Sequence, residues 1–252
     1  MVVSYWDSSK TFEPIRIFIP FSELKNILQK VTNDENFVSL SDFVNSRTVY
    51  RLTPKLHEDF PGAIHQLSNG HLFDMSTNIF DRLPQVFYDE KPSGKEEYIQ
   101  LLGRIDNKRV FKFIRRDYVN NVNNLNKFKI LVPKSNGSGA LGEVLSTPLI
   151  GPPLIGHTES FISIGEFETK CEAQAALKYI QSKFARTMLG VLKVTQDNPP
   201  ETWRFVPLQD FTSSSDIDWS VSVREVDRQL YAKYGLTQEE IDFIETHVKE
   251  ME

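Results

Sequence analysis

The chain has 252 residues, 40% hydrophobic and 25% charged, with a net charge of -5. That balance belongs to an ordinary globular protein, long enough for one large domain or a domain with an appendage, and no apolar run approaches the roughly 20 residues of a membrane span. A single cysteine, Cys171, excludes an internal disulfide framework and, with no secretory signal in the opening Met-Val-Val-Ser-Tyr-Trp-Asp, points to a reducing cytoplasm.

Residues 15–19 alternate as a strand and Pro20 ends it. Leu24, Ile27, Leu28 and Val31 then recur at helical spacing, with Ser22 as the expected N-cap, and a short helix over residues 40–44 starts at Ser39 or Ser41. Residues 52–84 carry Pro54, Pro61, Gly62, Gly70 and Pro84 and read as a long irregular loop. Strands follow at 86–88, 98–102 and 110–114, the last two joined by a turn at Asp106-Asn107-Lys108. Another strand spans 127–132, followed by a Ser-, Gly- and Asn-rich loop, and one more spans 160–164, closed by Gly165.

Ala173, Ala176, Leu177, Ile180, Phe184, Met188 and Val191 keep one apolar face over a single long helix, residues 170–192. After Pro199-Pro200, residues 203–206 read as a short strand. Two tail helices, 223–234 and 238–250, are separated by Gly235 as C-cap and Thr237 as N-cap. The pattern predicts an α+β fold, with a mainly antiparallel sheet, a long packing helix and a C-terminal helical tail.

Charge is unevenly distributed. Residues 104–134 hold nine basic and two acidic side chains, a local +7, whereas residues 201–252 hold twelve acidic and five basic, a local -7. A basic middle masked by an acidic tail points to a polyanionic partner. The amides of Asn120, Asn121, Asn123, Asn124 and Asn126 fall inside the basic segment and read as turn formers.

Short catalytic matches fail on chemistry. Asn198-Pro199-Pro200-Glu201 has the outline of the amine-binding motif of amino-methyltransferases, but Glu201 cannot stack on a base and no Gly-rich cofactor loop precedes it; it reads as a helix terminator. Glu168-Thr169-Lys170 fits half of a metal-dependent nuclease site, yet no aspartate lies between Asp117 and Glu168 to complete it. His57, His65, His71, His157 and His247 show no ligand spacing, and no nucleophile elbow or Walker loop occurs. The expectation is no catalytic residue, no metal and no cofactor in this chain.

Several ordered segments carry a resemblance. They are residues 127–134 (Lys-Phe-Lys-Ile-Leu-Val-Pro-Lys), 158–167, 176–184, 205–211 (Phe-Val-Pro-Leu-Gln-Asp-Phe), 230–241 (Leu-Tyr-Ala-Lys-Tyr-Gly-Leu-Thr-Gln-Glu-Glu-Ile) and the final Met251-Glu252. In these the chain resembles the C-terminal target-recognition region of bifunctional restriction-modification enzymes that carry an N6-adenine DNA methyltransferase domain. Residues 15–31 and 40–47 resemble the connector that follows the methylase. The resemblance implies a target-recognition domain over residues 1–200, connector-like to residue 60, and a helical tail over 201–252. It implies double-stranded DNA and a methyltransferase domain or subunit as partners, no membrane, and S-adenosylmethionine held by that catalytic domain rather than here.

Candidate DNA contacts are the cations and small polar groups of the basic middle and its neighbours: Arg47, Arg51, Arg109, Lys112, Arg115, Arg116, Lys134, Ser135, Asn136 and Ser138. Two other expectations stand beside this one: a protein-docking module of the same system acting through the acidic tail, and a nuclease using Glu168 and Lys170.

Overall fold

A computed structural model describes residues 6–9 and 17–251. The expected opening strand lies partly outside the described residues, and its described part, 17–19, forms no strand. Helix α1 (Ser22–Thr32) buries Leu24, Ile27 and Val31, as its spacing predicts. Phe21, in extended conformation, takes the N-cap position instead of Ser22, which lies inside the first turn with its hydroxyl on Glu23. A 3₁₀ turn, Leu40–Phe43, is capped by Ser39 and leads into β1 (Val44–Asn45).

Residues 52–84 are not an irregular loop. Helix α2 (Pro54–Asp59), a 3₁₀ turn (Pro61–Gln66) and α3 (Ile79–Arg82) occupy much of the segment. Pro54 and Pro61 stand in the first turn of the first two of these, where a missing N–H costs nothing, and Pro84 follows α3. Leu56, Met75, Ile79 and Leu83 are fully buried and pack with Ile99, Leu101 and Ile114 of the following hairpin.

That hairpin joins β2 (Tyr98–Ile105) to β3 (Lys108–Arg115) in uninterrupted antiparallel register. Asp106 and Asn107 both take positive φ, 49° and 61°, the conformation a two-residue turn needs to match strand twist. Residues 86–88 make only one bridge, Tyr88 to Phe113, and are no strand. β4 (Phe128–Pro133), β5 (Leu149–Gly151), β6 (Ile155–His157) and β7 (Phe161–Phe167) complete two sheets. One is antiparallel throughout, in the order β1-β7-β4-β5; the other has the order β3-β2-β6, with β6 parallel to β2. Gly165 does not end β7. It takes φ +85° where the β4–β7 register slips, and a Cβ there would meet the Phe167 ring at 2.2 Å.

The expected long helix is two: α4 (Lys170–Gln181) and α5 (Lys183–Gly190). Ser182 (ψ 149°) breaks them, and its hydroxyl accepts from the Ala185 N–H. The Asp227 carboxylate accepts from the N–H groups of Lys183 and Phe184 at 3.0 and 2.8 Å. Burial raises this carboxyl to about 6 against those two bonds. Residues 203–206 form no strand either. A 3₁₀ turn, Pro200–Trp203, drives the Trp203 indole into the core at 1% exposure.

In the tail, α6 (Val223–Lys233) and α7 (Gln238–His247) flank Gly235 at φ +58°, and Thr237 with Glu240 forms a capping box. Both helices share one apolar core with α1, β1, β4, β7, α4 and α5. The architecture is the expected α+β. Among the described residues no helix is long and apolar enough to cross a membrane.

Lys129 of β4 is fully buried, its Nζ donating to the carbonyls of Leu125, Pro152 and Ile155 at 3.4, 3.3 and 2.9 Å. Burial lowers its pKa from 10.5 to about 7. Between those values the unfolded chain holds the extra proton, so this group adds stability as pH rises from 7 towards 10.5; below 7 its penalty is constant. Lys129→Met should therefore flatten the stability profile over that window. The wild-type slope should exceed the variant's by up to about 1.4 kcal/mol per pH unit, read from urea titrations at pH 7 and 9.5; parallel profiles would refute the assignment.

Candidate nucleic-acid interface

β1, β7 and β4 bring three chain segments to one end of the antiparallel sheet. Val44 pairs with Ile164 and Asn45 with Ser163, so the chain leaving β1 runs towards the start of β7; Pro133 at the exit of β4 lies opposite Phe161. Arg47 and Lys134, the next cations along those two exits, line a common cleft with Ile162 and residues 197–201. Arg47 is exposed and Lys134 half-buried. Neither side chain has a hydrogen-bond or ion-pair partner among the described residues.

The tip of the β2–β3 hairpin reaches the same end of the sheet. Arg104 and Arg109, opposite each other in register, place their guanidinium groups 5.7 and 5.6 Å from the centre of the Phe161 ring. Successive residues of a strand face opposite sides. Phe161 and Ile162 therefore put this arginine pair and the cleft on either side of one strand.

The Arg109 guanidinium is fixed by the carbonyls of Thr147 and Ser146 at 2.7 and 2.9 Å. Burial, with the like charge of Arg104, lowers its pKa. Neither arginine forms an ion pair among the described residues. Two cations over one aromatic face without a carboxylate form a site of unmet positive charge.

Of the other hairpin cations, Lys108 at the tip is exposed without a side-chain partner among the described residues, and the rest are engaged within the fold. Lys112 pairs with Asp89. Arg115 lies over the Tyr118 ring and binds Asp117 and Asp59. Arg116 donates to the Val119 carbonyl at 2.7 Å and the Asn121 amide oxygen at 2.8 Å. Arg51 is half-exposed and pairs with Asp74. The local +7 of the sequence is thus largely met by carboxylates and carbonyls, some of them distant in the chain.

The polar loop after β4 is similarly divided. Ser135 donates to the Asp197 carboxylate at 3.0 Å. Ser138 is exposed, and its hydroxyl and backbone N–H both donate to Glu143. Burial opposes ionisation of Glu143, but these bonds and one from the Gly139 N–H outweigh it and hold the carboxyl at about 2. Asn136 is 4% exposed, and its amide clamps the loop: Nδ2 donates to the Val144 carbonyl, and Oδ1 accepts from the Ser146 hydroxyl and N–H.

In the sequence Arg104 is one cation among nine in its segment; the Phe161 ring and Arg109, which only the fold brings beside it, single it out. Glu168 pairs with Lys127, and among the described residues no group of three His, Cys, Asp or Glu side chains could hold a metal ion. No protein family, curated protein or solved structure matches the chain.

These placements separate structural from free groups. Asn136→Ala should lower unfolding free energy by about 2–3 kcal/mol, because buried partners lose their bonds. Lys134→Ala, at a side chain without partners, should stay within about 0.5 kcal/mol of wild type. Chemical denaturation of both variants is the measurement, and equal losses would contradict the assignment.

Proposed function

We propose that the chain recognises duplex DNA for an N6-adenine methyltransferase whose catalytic domain and S-adenosylmethionine are supplied elsewhere, and that it performs no reaction itself. The observation that carries this reading is the Arg104–Arg109 pair over Phe161, two guanidinium groups with no carboxylate partner at one end of a rigid sheet. Such a pair suits phosphate oxygens, which guanidinium groups meet with paired, charge-assisted hydrogen bonds. Arg47 and Lys134 add two unpartnered cations at the same end of the sheet. The family resemblance of the sequence supports the choice of DNA over other polyanions.

Protein docking through the acidic tail has less to draw on. Glu240 is tied to Lys30, Glu245 to Lys183, Asp216 to Lys233 and Glu225 to Arg228. Much of the tail's charge is spent inside the fold.

Binding of the chain to short duplexes of randomised sequence, titrated at several salt concentrations, tests the proposal. Affinity should fall steeply with salt. Arg104→Ala should weaken binding to all sequences about tenfold and reduce the magnitude of the salt slope by about 1, with unchanged thermal stability as the control. Absence of salt-dependent binding, even with a methyltransferase domain restored, would overturn the proposal.

A further inference from the structure

The β2–β3 hairpin has two faces of different character, because successive residues of a strand alternate between them. Ile99, Leu101 and Ile114 point into the core they share with Leu56, Met75 and Leu83. The other face carries, row by row in register, Arg104 with Arg109, Leu102 with Phe111, Gln100 with Phe113 and Tyr98 with Arg115. Tyr88 extends it. Its N–H and C=O both bond to Phe113, at 2.9 and 2.7 Å, which places the two side chains on one face.

This second face is aromatic and open. Phe111 is 40% and Tyr88 38% exposed, and Phe113 and Tyr98 are partly exposed. None of the four belongs to the buried core. Phe111 and Phe113 stand about 7 Å apart along β3, and among the described residues neither meets another ring. The amide of Gln100, opposite Phe113, has no hydrogen-bond partner among them either. A row of rings left in water on one flat face is more than scattered exposure, and such a patch marks a contact surface.

The occupant follows from the charge at the hairpin tip. Arg104 and Arg109 stand on this same face without a carboxylate partner. What covers the face is therefore anionic at the arginines and presents flat apolar surfaces to the rings. A duplex offers phosphates but hides its base faces in the stack; an unpaired strand offers both. At the far end the exposed Asp89, Glu90, Glu96 and Glu97 outnumber Lys91 and Lys95, which keeps further phosphates away and the bound stretch short.

We infer that this face of the hairpin holds a short unpaired stretch of DNA, with a phosphate on Arg104 and Arg109 and successive bases stacked on Phe111 and Phe113. Gln100 is placed to meet a base edge, and Tyr88 and Tyr98 bound the platform. The choice of DNA rests on the reading above; the platform of rings beside cations does not. Stacking of this kind accepts any base, so the hairpin adds affinity for opened DNA rather than sequence choice.

The test uses the whole chain and three probes: a short deoxythymidine strand, a blunt duplex of mixed sequence, and inorganic polyphosphate as a polyanion without bases. The strand should bind more tightly than polyphosphate. Phe111→Leu, which keeps apolar bulk without a ring, should weaken strand binding about fivefold or more and leave duplex binding unchanged. Phe111→Trp should retain it. Because Phe111 lies at the surface, an unchanged melting temperature is the folding control for both variants.

Strand binding no tighter than that of polyphosphate, or equal in wild type and Phe111→Leu, would overturn the inference; salt-dependent duplex binding alongside either result leaves the duplex reading intact. Ring-dependent strand binding with no duplex binding would overturn duplex recognition and leave the platform standing.

Discussion

Beside the bond from Lys129 of β4 to the Ile155 carbonyl of β6, a chain of buried hydrogen bonds joins the two sheets and sets how the candidate contacts stand to one another. The Tyr50 hydroxyl donates to Asn124 Oδ1 at 2.6 Å, and Asn124 Nδ2 donates to Ser163 Oγ of β7 at 2.9 Å. His157 of β6 lies within 3.2 Å of the same oxygen, with its Nδ1 3.0 Å from the Thr158 carbonyl. A carbonyl can only accept, so Nδ1 carries the proton and Nε2 accepts from Ser163. Burial keeps the ring neutral by lowering its pKa to about 4. A network satisfied in this way fixes a unique arrangement, whereas losing one member leaves several buried groups unpaired.

Because the network ties β7 to β6, and β6 is hydrogen-bonded to β2, the hairpin tip is held at a fixed distance from the sheet end that carries Arg47 and Lys134. A rigid mount of this kind lowers the entropy lost on binding. It also explains the economy of free charge. Cations that stabilise the hairpin, such as Arg115 with Asp59 and Asp117, are committed inside the fold, whereas Arg47 and Lys134 at the sheet end are without partners among the described residues.

Elements with their own local signals were legible in the sequence. The apolar spacing of α1, the Asp106-Asn107 turn and the Gly235–Thr237 boundary are each written in adjacent residues. What was not legible depended on distant partners. Helix α5 is separated from α4 at Ser182, and the Asp227 carboxylate that caps it together with Ser182 comes from α6; the segment 52–84 packs on a hairpin that follows it. The site was readable as a set of cations but not as a place. Lys112 and Arg115 look as free as Arg47 until Asp89 and Asp59 arrive from elsewhere in the chain.

The capping of α5 by Asp227 also bears on the order in which the protein can assemble. Residues 183 and 184 are made before residue 227, so the start of α5 lacks its Asp227 cap until α6 is made. β1 waits longer for its partner, since Val44 and Asn45 pair with residues 164 and 163, and α1 rests on α7 through Lys30 and Glu240. Contacts this remote in sequence make folding slow and leave apolar surface open during synthesis. The larger core therefore closes late and as one unit, once the C-terminal helices have emerged.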